Sequence, residues 1–208
     1  MRTGGTGGAN TNASGKPFEE CFRPLGTHVI GGQTFEYIDQ DRFVEYMKGL
    51  KDPQWTHKKK PDGALISEDK KTIFIIEFKH QIVAGSVDEK IRCGPCLLEE
   101  YKHLYPTVDN IYMMFIVNEW WFSQKKYEVA IEFNKKHGIP VFFAKQKIES
   151  AWRVHVQKST NKWTFYPAFY VVDEEEIFNW MTRQVLPVVL DSGFLLLMAL
   201  RASSSLIS

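Results

Sequence analysis

Apolar and polar positions alternate through His28 to Ile30 and again through Thr34 to Ile38, on either side of Gly31-Gly32, a pattern that predicts a β-hairpin. The spacing then turns helical. Phe43, Met47 and Leu50 share one face, and Asp39 or Asp41 can cap a helix running to Leu50. Gly63 to Ile66 and Thr72 to Lys79 read as strands joined by the polar turn Ser67 to Lys71. Ser86 and Glu89 have capping-box spacing, so a helix should start near Val87. Gly94-Pro95 should interrupt it, with a second helical stretch from Cys96 to Leu104. Ile111 to Val117 is an apolar run of strand length. Helical spacing returns in Gln124 to His137, through Tyr127, Ala130, Ile131 and Phe133, and Gly138 should stop that helix. Val141 to Ala144, Val154 to Val156 and Trp163 to Val172 read as strands. Glu174 to Val185 reads as a helix with acidic residues in its first turn.

Strands alternate with helices from Asp62 to Ala144, which indicates an α/β core with elaborations at both ends. No internal repeat interrupts it. Gly4 to Gly15 holds five glycines among Thr, Asn and Ser, so residues 1–16 are expected to form a flexible arm. Pro17-Phe18-Glu19-Glu20 then begins a short helix. Residues 17–208 are expected to be a single domain, with a core of about 39–147 and an elaboration of about 148–208. The chain is 44% hydrophobic and 25% charged over 208 residues, enough for a full core.

Charge narrows the choice of partners. Lys and Arg number 26 against 25 Asp and Glu, so any contact with nucleic acid must come from a local patch. Residues 121–165 supply one candidate, with nine Lys and Arg against three Asp and Glu. Three cysteines cannot frame a disulfide-stapled secreted fold. The Gly- and Thr-rich start lacks the apolar core of a signal peptide, and the seven-residue run Phe194 to Leu200 is too short to span a bilayer. These features point to a soluble cytoplasmic protein with no membrane partner.

The sharpest chemical signal is Pro61-Asp62, then fourteen residues, then Glu77-Phe78-Lys79. Ile73 to Ile76 is the apolar run of a central strand buried on both faces. Charges buried at its end are costly without partners or a metal. Residues two apart on a strand share a face, so Glu77 and Lys79 project together while Phe78 packs opposite. A hairpin of this length can return Glu77 beside Asp62. Two carboxylates near a lysine suit Mg2+, with a backbone carbonyl and waters completing the shell. Such a centre suits phosphodiester hydrolysis, with Lys79 orienting or deprotonating the attacking water. Taken singly, an E-x-K triplet is commonly a solvated cross-strand ion pair and P-D a common turn.

Lys60 to Val117 resembles the PD-(D/E)XK nuclease superfamily, and within it the type II restriction endonucleases. The resemblance is carried by Pro61-Asp62-Gly63-Ala64-Leu65-Ile66, by Ile76-Glu77-Phe78-Lys79-His80-Gln81, and by Gly85-Ser86-Val87-Asp88-Glu89-Lys90-Ile91. The segment from Gly7-Gly8-Ala9-Asn10-Thr11 to Phe18-Glu19 is similar to restriction-enzyme N-termini. The resemblance implies a restriction-endonuclease-like α/β core, a mixed central β-sheet flanked by helices, with N- and C-terminal elaborations. It makes Asp62 and Glu77 metal ligands for Mg2+, with Mn2+ substituting, and Lys79 the catalytic lysine. Glu19 would be an additional acidic residue near the metals. Gln81 shares the face of Glu77 and Lys79, where it can touch the scissile phosphate or simply end the strand. The implied substrate is double-stranded DNA, cut by a homodimer. A nicking or structure-specific nuclease of repair, recombination or mobile elements is the rival, and a non-cutting DNA-binding module on the same scaffold is a third reading.

Lys58, Lys59 and Lys60 directly precede the proposed metal site and can grip flanking phosphates, as can Lys145 and Lys147 after the last core strand; otherwise they are solvated surface charges. Cys93-Gly94-Pro95-Cys96 lacks a second cysteine pair for structural zinc, and a thioredoxin-like role requires a strand ending just before Cys93. His80 should point away from Lys79, toward packing or DNA. Glu119-Trp120-Trp121-Phe122 follows a strand, where its aromatics can stack on bases or join the core.

Overall fold

The computed structural model describes residues 18–22, 26–81, 87–147 and 169–189. The expected arm at 1–16, the strand at Val154 to Val156 and the apolar tail lie outside them. One mixed sheet organises these residues. Its seven strands lie in sequence order: β1 (Thr27–Ile30), β2 (Gln33–Asp39), β3 (Gly63–Ser67), β4 (Thr72–Lys79), β5 (Asn110–Asn118), β6 (Val141–Lys147) and β7 (Phe169–Val171).

The first four strands form an antiparallel meander. The β1–β2 turn is made by Gly31 and Gly32, with φ of 56° and 83°. Two consecutive left-handed residues match the twist of a tight hairpin, and glycine adopts them without strain. β5 then joins β4 in parallel, β6 joins β5 in parallel, and β7 closes the edge antiparallel. Parallel neighbours need crossovers. The first contains α3 (Val87–Lys90), a 3-10 turn at Ile91–Cys93 and α4 (Gly94–Leu104). The second contains α5 (Glu119–Phe122), a 3-10 turn at Lys125–Tyr127 and α6 (Glu128–Lys136).

The helices sort onto two faces. Ile73, Ile75, Met113, Phe115 and Val117 meet Phe43 of α2 (Gln40–Tyr46), Leu98 and Tyr101 of α4, and Ala130 of α6. Phe74, Ile76, Phe78, Met114 and Ile116 meet Phe18 of α1 (residues 18–21) and Met181 and Val185 of α7 (Glu174–Val189). β4 and β5 are thus covered on both sides, which is why their sequences are continuously apolar rather than alternating. None of the described helices is long and apolar enough to cross a membrane.

Several boundaries differ from the sequence reading. α2 is capped by Asp39, whose Oδ1 accepts from the Arg42 N–H at 3.1 Å, but it stops at Tyr46 rather than Leu50. Beyond it the chain tightens into three-residue turns, Lys48 N–H to Glu45 O and Leu50 N–H to Met47 O, and Gly49 weakens further helix. The second helix, α4, starts at Gly94 rather than Cys96, because its first turn accommodates Pro95. The segment Glu119–Phe122 that follows β5 forms the short helix α5. β6 extends three residues past Ala144 because β7 pairs with that extension, Lys145 opposite Val171.

Candidate active site

The register of β3 and β4 builds the site. Gly63 pairs with Ile76 in the antiparallel ladder, so the next position brings Asp62 opposite Glu77. Gly63 leaves room for the Tyr37 ring, whose hydroxyl would lie 2.4 Å from an added Cβ. A larger residue there would disturb the strand that delivers Asp62. The Asp62 carboxylate replaces a strand partner: its Oδ2 accepts from the Phe78 N–H at 2.9 Å. The β4 pleat then sends Glu77 and Lys79 to the α4 face and Phe78 to the other, as expected from their spacing.

These side chains converge on one point. The Lys79 ammonium donates to Asp62 Oδ2 at 2.7 Å, to Glu77 Oε2 at 2.7 Å and to the Phe78 carbonyl at 2.9 Å. Only 8% of the Lys79 side chain is exposed, against 12% for Glu77 and 22% for Asp62, so Asp62 forms the outward rim. Burial pushes the Glu77 carboxyl up, and the nearby Asp62 charge adds to that, while Lys79 opposes both. Burial works against the Lys79 ammonium, but Glu77 and Asp62 outweigh it and raise its pKa. Lys79 is therefore held protonated.

A further cation stands behind the carboxylates. Lys59 lowers the Glu77 pKa through its charge and is ion-paired with Glu100 of α4. Counting both lysines and the three carboxylates, the cluster carries one excess negative charge.

The donor set fits a hard divalent cation. Two carboxylate oxygens and one backbone carbonyl already surround a single positive charge, the ammonium, at 2.7–2.9 Å. Oxygen ligands of this kind, completed by water, are what Mg2+ takes. Among the described residues no three His, Cys, Asp or Glu side chains converge, so the third protein donor at this point is the carbonyl.

The other expected residues fall in different places. Glu19 does not make a third carboxylate of the cluster among the described residues. Its helix is anchored through Phe18 on Phe78, His80 and Tyr170, all on the opposite face. Gln81 is buried, and its backbone is clamped by Asn118 at the end of β5: its N–H donates to Asn118 Oδ1 and its carbonyl accepts from Asn118 Nδ2, both at 2.9 Å. This reciprocal pair prolongs the β4–β5 ladder beyond Lys79. Lys60 lies 3.5 Å from Asp41 and Lys145 lies 3.8 Å from Glu119, while the Lys147 side chain lies outside the described residues. Lys58 is exposed, with no carboxylate at ion-pair distance among the described residues.

His80 points away from the cluster, as expected, and its Nε2 meets the Tyr170 hydroxyl at 2.8 Å. Cys93 and Cys96 are exposed free thiols flanking Gly94-Pro95, preceded by the 3-10 turn and not by a strand. Of the aromatic triplet, Trp120 is 67% exposed, whereas Trp121 and Phe122 are buried.

Sequence reasoning missed Tyr101, Glu100 and Asn118. Tyr101 reads as an ordinary apolar-face aromatic. The only sequence signal for Asn118 is its position as the first polar residue after an unbroken apolar strand. Comparison with protein-family models, with curated proteins and with solved structures returns no match to this chain.

Proposed function

We propose that this chain is a divalent-metal-dependent endodeoxyribonuclease of the PD-(D/E)XK type, acting as a type II restriction endonuclease on duplex DNA. The observation that carries the reading is the meeting of Asp62, Glu77 and the Phe78 carbonyl around one positive charge at the rim of a buried hairpin. The mixed sheet flanked by helices is compatible with the restriction-endonuclease-like core that the motif resemblance implies.

Asp62, Glu77 and the Phe78 carbonyl would hold Mg2+, with Mn2+ substituting. When bound, the ion supplies Lewis acidity and lowers the pKa of a coordinated water. The chain's own groups account for the remaining work. Asp62 is fixed by the Phe78 N–H, which sets the position of the same oxygen, Oδ2, that faces the positive charge. Glu77 is held by strand geometry on the same face. Lys79, protonated in this state, acts as a hydrogen-bond donor that orients the water and neutralises charge on the phosphate. The water oxygen bonds to phosphorus in line with the leaving 3′ oxygen and gives up one proton to solvent, the P–O3′ bond breaks, and a solvent proton passes to that oxygen. The products are a 5′-phosphate and a 3′-hydroxyl. Two strands require two centres, so a homodimer is the fitting assembly, inside the cell with access to DNA.

The intact Asp62, Glu77 and Lys79 favour cutting over a non-cutting DNA-binding module. Purified protein is incubated with mixed phage DNA and Mg2+, with and without chelator, and the fragment ends are sequenced. Recurrent cuts within one short site, lost with chelator, are expected. Cleavage confined to junctions or mismatches would instead support a structure-specific repair or recombination nuclease. No cleavage with Mg2+ or Mn2+ would leave only the binding module. Asp62→Ala and Lys79→Ala should each abolish cutting while retaining most DNA binding, measured by gel shift.

A further inference from the structure

Helix α4 carries a side chain that the nuclease reading leaves unused. Tyr101 is fully buried, edge-on to Phe43 at 6.2 Å between ring centres, with the Lys59 ammonium 5.3 Å from its own ring centre. Its hydroxyl is sealed from solvent and has no hydrogen-bond partner among the described residues. Buried hydroxyls nearly always have partners, because desolvation without replacement is unfavourable. Phenylalanine would fill the same space without that cost, so the oxygen calls for a role.

The surroundings supply one. After burial, the charges that act most on Tyr101 are those of Glu77 and then Asp62. Tyr105, which caps α4 one turn later, is pushed up to about 12 by burial, and neither carboxylate contributes. The packing agrees: Tyr101 lies in one cluster with Ile75 and with Val117, the strand partner of Lys79, on the sheet face that carries Glu77 and Lys79. The Lys59–Glu100 ion pair joins the loop before Asp62 to α4 beside this ring.

We propose that Tyr101 is a positioning residue of the Asp62–Glu77 centre, its hydroxyl donating a hydrogen bond to the carboxylate pair when a divalent cation takes the place of the Lys79 ammonium. A phenol suits the task. It donates strongly, stays neutral near pH 7 and adds no further negative charge to a cluster that already has an excess. Its donor is kept for a carboxylate oxygen that the Lys79 ammonium releases when the cation binds. The inference rests on the nuclease reading.

The test uses the full chain without DNA. Mn2+ is titrated into wild type, Y101F and Y105F, followed by calorimetry and by tyrosine difference absorption. Wild type and Y105F should bind Mn2+ and show a tyrosine difference band. Y101F should lose that band and bind about 10-fold more weakly, within the 10–100-fold range seen when groups orienting metal ligands are removed. Metal-free Y101F should melt no lower than wild type, since an unpartnered buried hydroxyl has been deleted. A structural tyrosine would give the reverse, a lower melting temperature with unchanged Mn2+ affinity, and that result overturns the inference. Wild-type affinity in Y101F with the band retained also overturns it and leaves the nuclease reading standing. Absence of Mn2+ binding to the wild type overturns both.

Discussion

Lys79 is both the neutralising charge of its site and an obstacle to any other cation. Its ammonium holds the two carboxylate oxygens and the carbonyl that a divalent ion would take, so binding requires the side chain to withdraw. Lys79→Met separates these effects. Without metal, the variant buries two neighbouring carboxylates with no counter-charge, and breaking a buried pair from one side costs about 3–5 kcal/mol. Divalent metal should restore more stability to the variant than to the wild type, because no ammonium competes and ligand binding to the native state is linked to folding. Thermal melting with and without Mg2+ reads both effects, and equal metal-induced shifts in the two proteins would contradict competition. The pH dependence has a definite sign. The raised Lys79 pKa gives stability that is full below the unfolded value of 10.5 and is lost only as pH climbs through the native one. At this scale the site was readable, because Glu77 and Lys79 lie two apart on one strand and the hairpin length sets Asp62 opposite. Tyr101 was not, since a core tyrosine and a site tyrosine have the same spacing on α4.

At the scale of elements, the hairpin that carries the site depends on its distal turn. Asp69 Oδ1 accepts from the Ser67 hydroxyl at 2.6 Å and the Lys71 N–H at 3.0 Å. Lys70 adopts a left-handed φ of 58°, and its ammonium sits 4.1 Å from the Tyr46 ring centre and 3.2 Å from the Tyr46 carbonyl. The cation–aromatic contact helps offset the strained backbone and ties the turn to α2. Burial works against the Asp69 carboxylate, but the Ser67 hydroxyl and Lys71 outweigh it and hold its pKa below 3.8. A lowered carboxyl contributes stability that is present above its unfolded value and is lost as pH falls through the native one. Asp69→Ala should therefore cost about 1 kcal/mol at neutral pH, the usual net worth of hydrogen bonds at a partly exposed turn. The gap between variant and wild type should narrow below pH 3.8, as followed by urea unfolding; a gap constant from pH 7 to 2 would show that the charge plays no part. Strand pairs and turns were legible here because their signals are local. The stop of α2 and the start of α4 were not, since Gly49 and Pro95 each admit two placements that only tertiary packing separates.

The whole molecule has almost no net charge, +1 from 26 basic and 25 acidic residues, so attraction to a polyanion depends on where the lysines stand. The loop His57 to Lys60 enters the site directly at Pro61-Asp62. Within it Lys59 is occupied by Glu100, and Lys60 lies near Asp41. Lys58 is the exposed lysine of the three that has no carboxylate at ion-pair distance among the described residues. A lysine already paired with a carboxylate releases few counterions on meeting a phosphate, whereas an unpaired one contributes fully to the salt dependence of binding. Under the proposed nuclease reading, Lys58→Ala should thus weaken duplex binding about equally for cognate and unrelated sequences. It should also make the slope of log affinity against log salt shallower by about 0.9. Lys60→Ala should change the slope by less, because the phosphate must compete with Asp41. Fluorescence anisotropy from 50 to 250 mM salt, in Ca2+ or without metal to prevent cutting, measures both slopes. Equal slopes for wild type and Lys58→Ala would move the phosphate contacts to another surface. The sequence placed these lysines beside the site but did not distinguish them, because pairing with Glu100 and Asp41 depends on how α4 and α2 pack against the loop.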